Sequence, residues 1–427
     1  MNVTLVYVGV GVAGFNPNWP APRPKGDREG SWIGHGIASI GAFVRAAGFD
    51  VDLIDLRQLP DFDEFGRMVV GSPADVYGLS ISAVDEYAAL KCIFEIKTHA
   101  PQAKIIVGGI SPTIFPERFE FDVVDTIVQG EGEVTLTTLL QSIEKGEQLP
   151  KRVRGEKPNL DAIPFVARDL FDYQRELDCF FAPDQKTPSI TMLAGRGCPY
   201  HCNYCQPAEN SVFGKPYRMR SPMNVINELN ILRARYNFKS VTFWDDTFTF
   251  RPDWINAFCD LYQANMFSAS IAACSRADII VKNEAMVERL AQIGLDWFVI
   301  GLETGTQRML DFIQKGTTVS DNRMAVEICR KYGIKVFGTF MLGLPTETRD
   351  ESKATVDMIH ALRPELASPF WFRPIPGTGI YNYCEENDLI LDAAKNSTIE
   401  RTGVFIPTIK GVDYGYITQL MPQMGVV

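Results

Sequence analysis

The chain has little with which to hold a nucleic acid or a membrane. Its 42 Lys and Arg are outnumbered by 52 Asp and Glu, leaving a net charge of −10 with no basic run to offset it. Phosphate backbones are held by clustered cations, so no nucleic-acid partner is expected. No apolar run approaches the ~20 residues of a spanning helix, so no membrane partner is expected either. Six of the cysteines, Cys92, Cys179, Cys259, Cys274, Cys329 and Cys384, are scattered without the paired spacing of a disulfide framework. The chain opens on a strand-like run, Val3-Thr-Leu-Val-Tyr-Val8, where a signal peptide would place a charged segment and a longer apolar one. A reducing, cytoplasmic setting is expected. With 427 residues, 46% of them hydrophobic, there is chain enough for two or three domains with full cores.

Three further cysteines lie close together in Gly195-Arg-Gly-Cys198-Pro-Tyr-His-Cys202-Asn-Tyr-Cys205, with three and then two residues between them. Zinc sites usually gather four Cys or His ligands, whereas an iron–sulfur cluster offers one corner per iron and can be held by three thiolates. Such a cluster keeps one iron for a substrate or cofactor. His201 would complete a zinc set only if it turned to the same ion as its neighbour Cys202, which adjacent residues seldom do. The remaining alternative is that the thiols are buried structural groups.

The first 145 residues alternate between strand and helix patterns. Strands are expected at Val3–Val8, Val51–Leu56, Val76–Ile81, Lys104–Val107 and Val123–Val128, and helices at Ile33–Ala47, Tyr87–Thr98 and Val134–Ile143. Short βα units give a parallel sheet covered on both faces, with a ligand crevice at its carboxyl edge. Gly9-Val-Gly11-Val-Ala-Gly14 has the spacing of a dinucleotide fingerprint, but Pro17, Pro20, Pro22 and Pro24 follow where that motif requires a helix. Without a helix N-terminus to hold a pyrophosphate, NAD or FAD is not expected here.

Periodicity then fades between about Lys145 and Thr187, a stretch with Pro150, Pro158, Pro164 and Pro183 that reads as a connector draped over the surface. From Ser189 the alternation resumes, with strands at Ile190–Leu193, Val241–Trp244, Ile271–Cys274, Trp297–Gly301, Val336–Leu342 and Phe370–Phe372. Helices are expected at Asn224–Tyr236, Trp254–Gln263, Met286–Ile293, Met324–Lys331 and Lys353–Leu362. Six βα repeats suggest an open partial barrel with its chemistry at the carboxyl rim, where the cysteine loop leaves the first strand.

Each later strand ends on polar or glycine residues: Asp245-Asp246, Ser275-Arg276-Ala-Asp278, Gly301-Leu-Glu303-Thr-Gly305, Gly343-Leu-Pro345 and Pro374-Ile-Pro376-Gly-Thr378. Together with the cysteine spacing, and with Tyr204 as the aromatic before the third cysteine, this order resembles the radical S-adenosylmethionine (SAM) enzymes. The resemblance implies that Cys198, Cys202 and Cys205 hold a 4Fe–4S cluster and that its open iron binds SAM. It further implies SAM contacts for Tyr204, Asp245, Asp246, Ser275, Arg276, Glu303 and Gly343. The Arg276 fork is the group suited to the SAM carboxylate. Reductive cleavage of SAM then yields a 5′-deoxyadenosyl radical that takes hydrogen from an unactivated carbon, and a donor such as flavodoxin or ferredoxin supplies the electron.

The first half resembles the cobalamin-binding domain that precedes many radical SAM cores. The likeness is carried by Gly34-His-Gly36 through Asp55, Gly78-Leu-Ser80-Ile-Ser82, Val107-Gly108-Gly109 and Val128-Gln-Gly130-Glu131-Gly132. It implies cobalamin contacts at Ser80, Ser82, Gly108, Gly109, Gly130 and Glu131, although Gly and Ser there are also ordinary turn residues. The Asp-x-His-x-x-Gly motif that supplies a lower axial histidine in many cobalamin proteins is missing, and His35 reads as a surface or helix-start residue. The organisation expected is a Rossmann-like or flavodoxin-like domain over 1–145, a connector over 146–187, a partial (β/α)6 barrel over 188–380 and a covering segment over 381–427. The function implied is cobalamin-dependent C-methylation of a small molecule. The alternative is radical dehydration, deoxygenation, epimerisation or rearrangement without methyl transfer. A non-enzymatic cobalamin or redox-sensing module would leave the SAM-contacting residues without a purpose.

Overall fold

The computed structural model describes residues 1–9, 32–83, 85–179, 182, 184–206, 208–215, 217–391 and 407–420. Of the Gly9–Gly14 motif only Gly9 is among them, and the rest of it with its proline-rich continuation lies outside. The chain forms two units, the first of Met1–Cys179 with Ala208–Lys215 and the second drawn from Phe180–Pro207 and from Pro216 onward.

In the first unit β1 (Asn2–Tyr7), α1 (His35–Ala46), β2 (Asp50–Asp55), α2 (Phe62–Gly71), β3 (Val76–Ser80) and α3 (Glu86–His99) are followed by β4 (Lys104–Gly108) and α4 (Ile110–Ile114). Then come β5 (Thr126–Gln129), α5 (Glu133–Glu144), β6 (Arg152–Arg154), α6 (Tyr173–Leu177) and, after a passage through the other unit, α7 (Ala208–Phe213). The strands make one parallel sheet in the order β2-β1-β3-β4-β5-β6. Ile105, Ile106 and Val107 of β4 are all buried, as a strand covered on both faces must be. The order reverses between β1 and β3, and an open α/β sheet offers its crevice at such a switch point.

The stretch read as a connector departs from expectation. Arg152–Arg154 pairs in parallel with β5, from Ile127↔Arg152 to Gln129↔Arg154, as a sixth strand. An edge strand of alternating Arg and Val is held by main-chain bonds, Ile127 N–H to Lys151 O at 2.8 Å and Gly155 N–H to Gln129 O at 2.8 Å, and so carries little hydrophobic periodicity. Beyond it Phe171, Tyr173, Leu177 and Cys179 are buried, and the Ala167 N–H bonds to Ala38 O of α1 at 3.0 Å. This part of the chain is core of the first unit and not a drape. α2 was also unread: its N-cap Asp61 accepts from Glu64 N–H at 2.8 Å, and only Phe65, Gly66 and Val69 of its ten residues are buried.

In the second unit β7 (Ser189–Met192), α8 (Pro222–Tyr236), β10 (Ser240–Phe243), α9 (Pro252–Ala264), β11 (Ser270–Ser275), α10 (Ala277–Lys282), α11 (Glu284–Gln292) and β12 (Leu295–Glu303) lead into the second half. That half holds α12 (Gln307–Phe312), α13 (Val319–Lys331), β13 (Lys335–Leu342), α14 (Arg349–Leu362), β14 (Leu366–Trp371), α15 (Gly379–Glu386) and α16 (Tyr414–Leu420). A two-residue ladder, β8 (Gly195–Arg196) with β9 (Arg218–Met219), closes the neck of the cysteine loop. The main sheet is parallel in the order β14-β13-β12-β11-β10-β7, with β7 and β14 at opposite ends, so the six-stranded barrel is open. The last strand is longer than the expected Phe370–Phe372. It carries Pro369, which breaks the apolar pattern and is tolerated because β14 is an edge.

Candidate active site

The carboxyl ends of the second unit's strands converge on the cysteine loop, and hydrogen bonds from each side fix it. From below, the Asp245 carboxylate at the end of β10 accepts from Ala194 N–H at 2.9 Å and Gly195 N–H at 2.5 Å. Burial pushes this carboxyl up to about 7 even though the two amides favour its ionised form. Asp245 is therefore committed to the loop's entry, whereas Asp246 beside it is exposed. On the far side, Asn203 N–H and Nδ2 donate to Ile313 O and Phe312 O at 3.1 and 2.8 Å, tying the loop to the end of α12. Gly379 N–H and Ile380 N–H donate to Gln206 O and Asn203 O, which brings in the Pro374–Thr378 turn.

Cys198 is half-buried, Cys202 buried and Cys205 exposed. Among the described residues no group of three or more Cys, His, Asp or Glu is gathered around one point as a single metal ion requires. A cubane takes each thiolate on a different iron, and a three-thiolate donor set on one anchored loop fits it.

Glu303 ends β12 at a φ of 62°, a left-handed conformation for a buried non-glycine residue. Its Oε1 accepts from Lys315 Nζ at 2.7 Å and from the Tyr204 hydroxyl at 3.1 Å, and Lys315 Nζ also donates to that hydroxyl at 3.1 Å. Burial, and then the Glu303 charge, hold the Tyr204 phenol well above its ordinary range. Both bonds fall on Oε1, so among the described residues Oε2 is the oxygen left to face a ligand. Lys315 escaped the sequence reading. The lysine follows α12 without any motif around it, and a buried carboxylate that needs a counter-ion is visible only in three dimensions.

Ser275, at the end of β11, is buried with its hydroxyl 2.6 Å from that of Thr249. The next residue, Arg276, is buried as well, and its guanidinium carries bonds to protein groups from each nitrogen. Nε donates to Asp278 Oδ1 at 3.0 Å, Nη2 to Lys315 O at 2.5 Å and Nη1 to Cys202 Sγ at 3.6 Å, with the Tyr200 ring 3.5 Å from the guanidinium carbon. Gly343, after β13, has a φ of 79° and gives its N–H to Glu347 at 2.5 Å, and Tyr414 covers the spot where a side chain would stand.

The first unit presents its own carboxyl edge. Gly109 and Gly130 have φ of 101° and 107°, and a Cβ on Gly109 would lie 2.7 Å from Ile81 O, so backbone packing alone requires glycine there. Gly108 has a side-chain position in ordinary contact with Val128. Ser80 and Ser82 are half-buried, the Ser82 hydroxyl donates to Asp85 at 2.7 Å, and Glu131 is buried. These residues stand at the ends of β3, β4 and β5, beside the switch point, and the small side chains there suit a ligand that needs close approach to backbone. His35 opens α1, away from any Asp-x-His-x-x-Gly sequence.

Comparison with known proteins agrees with this division. The family model of the radical SAM superfamily matches residues 192–359, and that of the B12 binding domain matches residues 26–140. An uncharacterized methyltransferase of Pyrococcus horikoshii is 29% identical over 374 residues, covering 83% of this chain and 79% of that protein. The anaerobic magnesium-protoporphyrin IX monomethyl ester cyclase of Rubrivivax gelatinosus is 23% identical over 389 residues, covering 86% and 69%. The solved structure of the cobalamin-dependent S-adenosylmethionine radical enzyme OxsB, with aqua-cobalamin and S-adenosylmethionine bound, superposes with a TM-score of 0.77 at 18% identity. The match covers 99% of this chain and 66% of OxsB, so the chain spans just under two thirds of that enzyme's length and shares its fold.

Proposed function

We propose, from the premise that the chain belongs to the radical SAM superfamily and carries a B12 binding domain, that it is an enzyme of cobalamin-dependent methyl transfer to an unactivated carbon of a small molecule. The observation that carries the proposal is the presence in one chain of two built carboxyl edges. One is a parallel sheet with a switch point between β1 and β3, the other an open barrel rim on which three thiolates are anchored. When bound, the cluster and SAM supply an organic radical and cobalamin a transferable methyl group.

The chain's own residues have separable tasks in this reading. Cys198, Cys202 and Cys205 hold the cluster, and Asp245 with Asn203 fixes the loop that carries them. Glu303, paired with Lys315 and oriented by Tyr204, offers its second oxygen to the hydroxyl or amino groups of SAM. Asp246, Ser275 and the Gly343 backbone complete that set. Ser80, Ser82, Gly108, Gly109, Gly130 and Glu131 would line the cobalamin edge, and the chain carries no Asp-x-His-x-x-Gly sequence to offer a histidine ligand. Residues 1–145, 146–187, 188–380 and 381–427 remain a working division for a cobalamin part, a connector, a catalytic barrel and a covering segment, with the connector's strand and buried residues counted with the first part. A one-electron donor of flavodoxin or ferredoxin type and a cytoplasmic setting suit an oxygen-sensitive cluster, and no described helix is long and apolar enough to cross a membrane.

The relationship to a cyclase supports a second reading, radical chemistry on carbon without methyl transfer. One experiment separates the two. Protein reconstituted anaerobically with iron, sulfide and hydroxocobalamin, then given dithionite as reductant and methyl-labelled SAM, should retain iron and corrin after desalting. It should release 5′-deoxyadenosine and carry the label into the corrin fraction. Alanine at Cys198, Cys202 or Cys205 should abolish 5′-deoxyadenosine, while alanine at Cys259 or Cys329 should not. Full iron and 5′-deoxyadenosine with no retained corrin would move the chain to the second reading.

A further inference from the structure

We infer that Arg276 is a positioning residue for the cluster, donating a hydrogen bond to the Cys202 thiolate and setting the cluster's reduction potential, and is not a clamp for the SAM carboxylate. The inference rests on the reading that Cys198, Cys202 and Cys205 hold a 4Fe–4S cluster. It turns on where the guanidinium's hydrogens go.

A bidentate carboxylate clamp needs two adjacent N–H groups pointing the same way into a site. Arg276 gives three of its five N–H groups to the protein, Nε–H to Asp278, an Nη2–H to the Lys315 carbonyl and an Nη1–H to Cys202 Sγ at 3.6 Å, an ordinary length for a bond to sulfur, and burial leaves the other two little room to meet a ligand. Its side chain is 6% exposed and that of Asp278 is 8% exposed. Tyr200, two residues after Cys198, covers one face of the guanidinium at 3.5 Å. The fork is thus locked by three elements: the start of α10, the segment after α12 and the cysteine loop itself.

Such a lock has an electronic consequence. An N–H directed at a ligand sulfur draws electron density from the thiolate, so it stabilises the more negative, reduced state of the cluster and raises its potential. A fixed cation beside the same sulfur acts in the same direction, and Asp278 balances its charge without removing the N–H dipole. Lysine keeps the charge but cannot reach three acceptors in three directions. Asp278 holds the guanidinium through Nε, and its own negative charge acts on the cluster in the opposite direction.

The test uses the full chain reconstituted anaerobically with iron, sulfide and hydroxocobalamin. Iron per chain is counted, the cluster midpoint is read by EPR-monitored titration, and SAM affinity is measured separately by calorimetry. Arg276→Met and Arg276→Lys should keep three thiolates' worth of cluster yet shift the midpoint to more negative potential, the methionine variant further. SAM dissociation constants should change less than threefold. An unmoved midpoint with SAM binding weakened tenfold or more would overturn the inference and return Arg276 to the carboxylate. If Arg276→Met does not fold, Arg276→Lys with a normal iron count decides: a negative shift upholds the inference, an unmoved midpoint overturns it. Wild-type protein that binds no iron would overturn both the cluster reading and this one, and the iron count tells that failure from the other.

Discussion

Glu303 and Lys315 show what one residue can cost and what holds it in place. Glu303 keeps a left-handed backbone, which costs about 1–3 kcal/mol and persists only where the surroundings over-determine it. Its carboxylate and the Lys315 ammonium are 8% and 7% exposed, so each is the other's main compensation for leaving water. Lys315→Met should therefore destabilise the protein by about 3–5 kcal/mol through the stranded carboxylate, read from anaerobic urea unfolding. Adding Glu303→Met should recover part of that stability while leaving SAM binding lost. A loss below ~1 kcal/mol in the single variant would mean that water already reaches the pair. At this scale the sequence reading puts Cys198, Cys202 and Cys205 in one short loop and Glu303 at a strand end, and the structure has them at those positions. The reading was weakest where a residue's role depends on what folds against it. Arg276 reads as an open fork in sequence and is engaged from every nitrogen in space, and Lys315 carries no motif at all.

Among the elements, α14 shows how a helix start is tied to its neighbours. Thr348 and Glu351 form a reciprocal capping box, and Arg308 of α12 donates to both Glu351 oxygens. The Arg308 hydrogen bond is the main cause that lowers the Glu351 carboxyl from 4.5 to about 2. Because the folded value lies below the ordinary one, this stabilisation is complete above about pH 4.5 and is lost as pH falls toward 2. Arg308 is 51% exposed, so solvent screening reduces the contribution to about 1 kcal/mol. Arg308→Ala should remove that much stability at pH 6 and almost none at pH 2.5, measured by thermal or urea unfolding across the range. An equal loss at both values would assign the effect to packing of the arginine stem. The strands and helices that sequence made legible are those with a covered apolar face, β1 through β5, β7 and β10 through β13 among them. The strand β6 and the helix α2 were missed because main-chain bonding and a cap, with few buried side chains, define them.

For the whole molecule, the boundary between the parts is the point on which sequence and structure differ. Fading periodicity suggested an end near residue 145, but the sheet gains β6 beyond it, and Leu170 lies where a side chain on Gly41 of α1 would stand. A fragment of residues 1–145 would expose β5 as a bare edge and uncover α1. It should aggregate or lack cooperative unfolding, whereas a fragment of residues 1–179 should stay soluble and unfold in one transition by circular dichroism. Equal behaviour of the two would show that the added strand is dispensable. Even the longer fragment lacks α7, which packs with α4 and follows the third cysteine by two residues. That small helix imposes an order in time. The ribosome releases the first 179 residues with α7 still unmade, and at about 5–20 residues per second that helix follows seconds later, after Cys205. The loop holding the thiolates is therefore made before α7 of the first unit and before all but the first strand of the second unit's main sheet. Loading of iron and sulfide is in this sense a closing step of biosynthesis, and a chain stalled before residue 215 would offer the delivery machinery its cysteines without the frame that holds them.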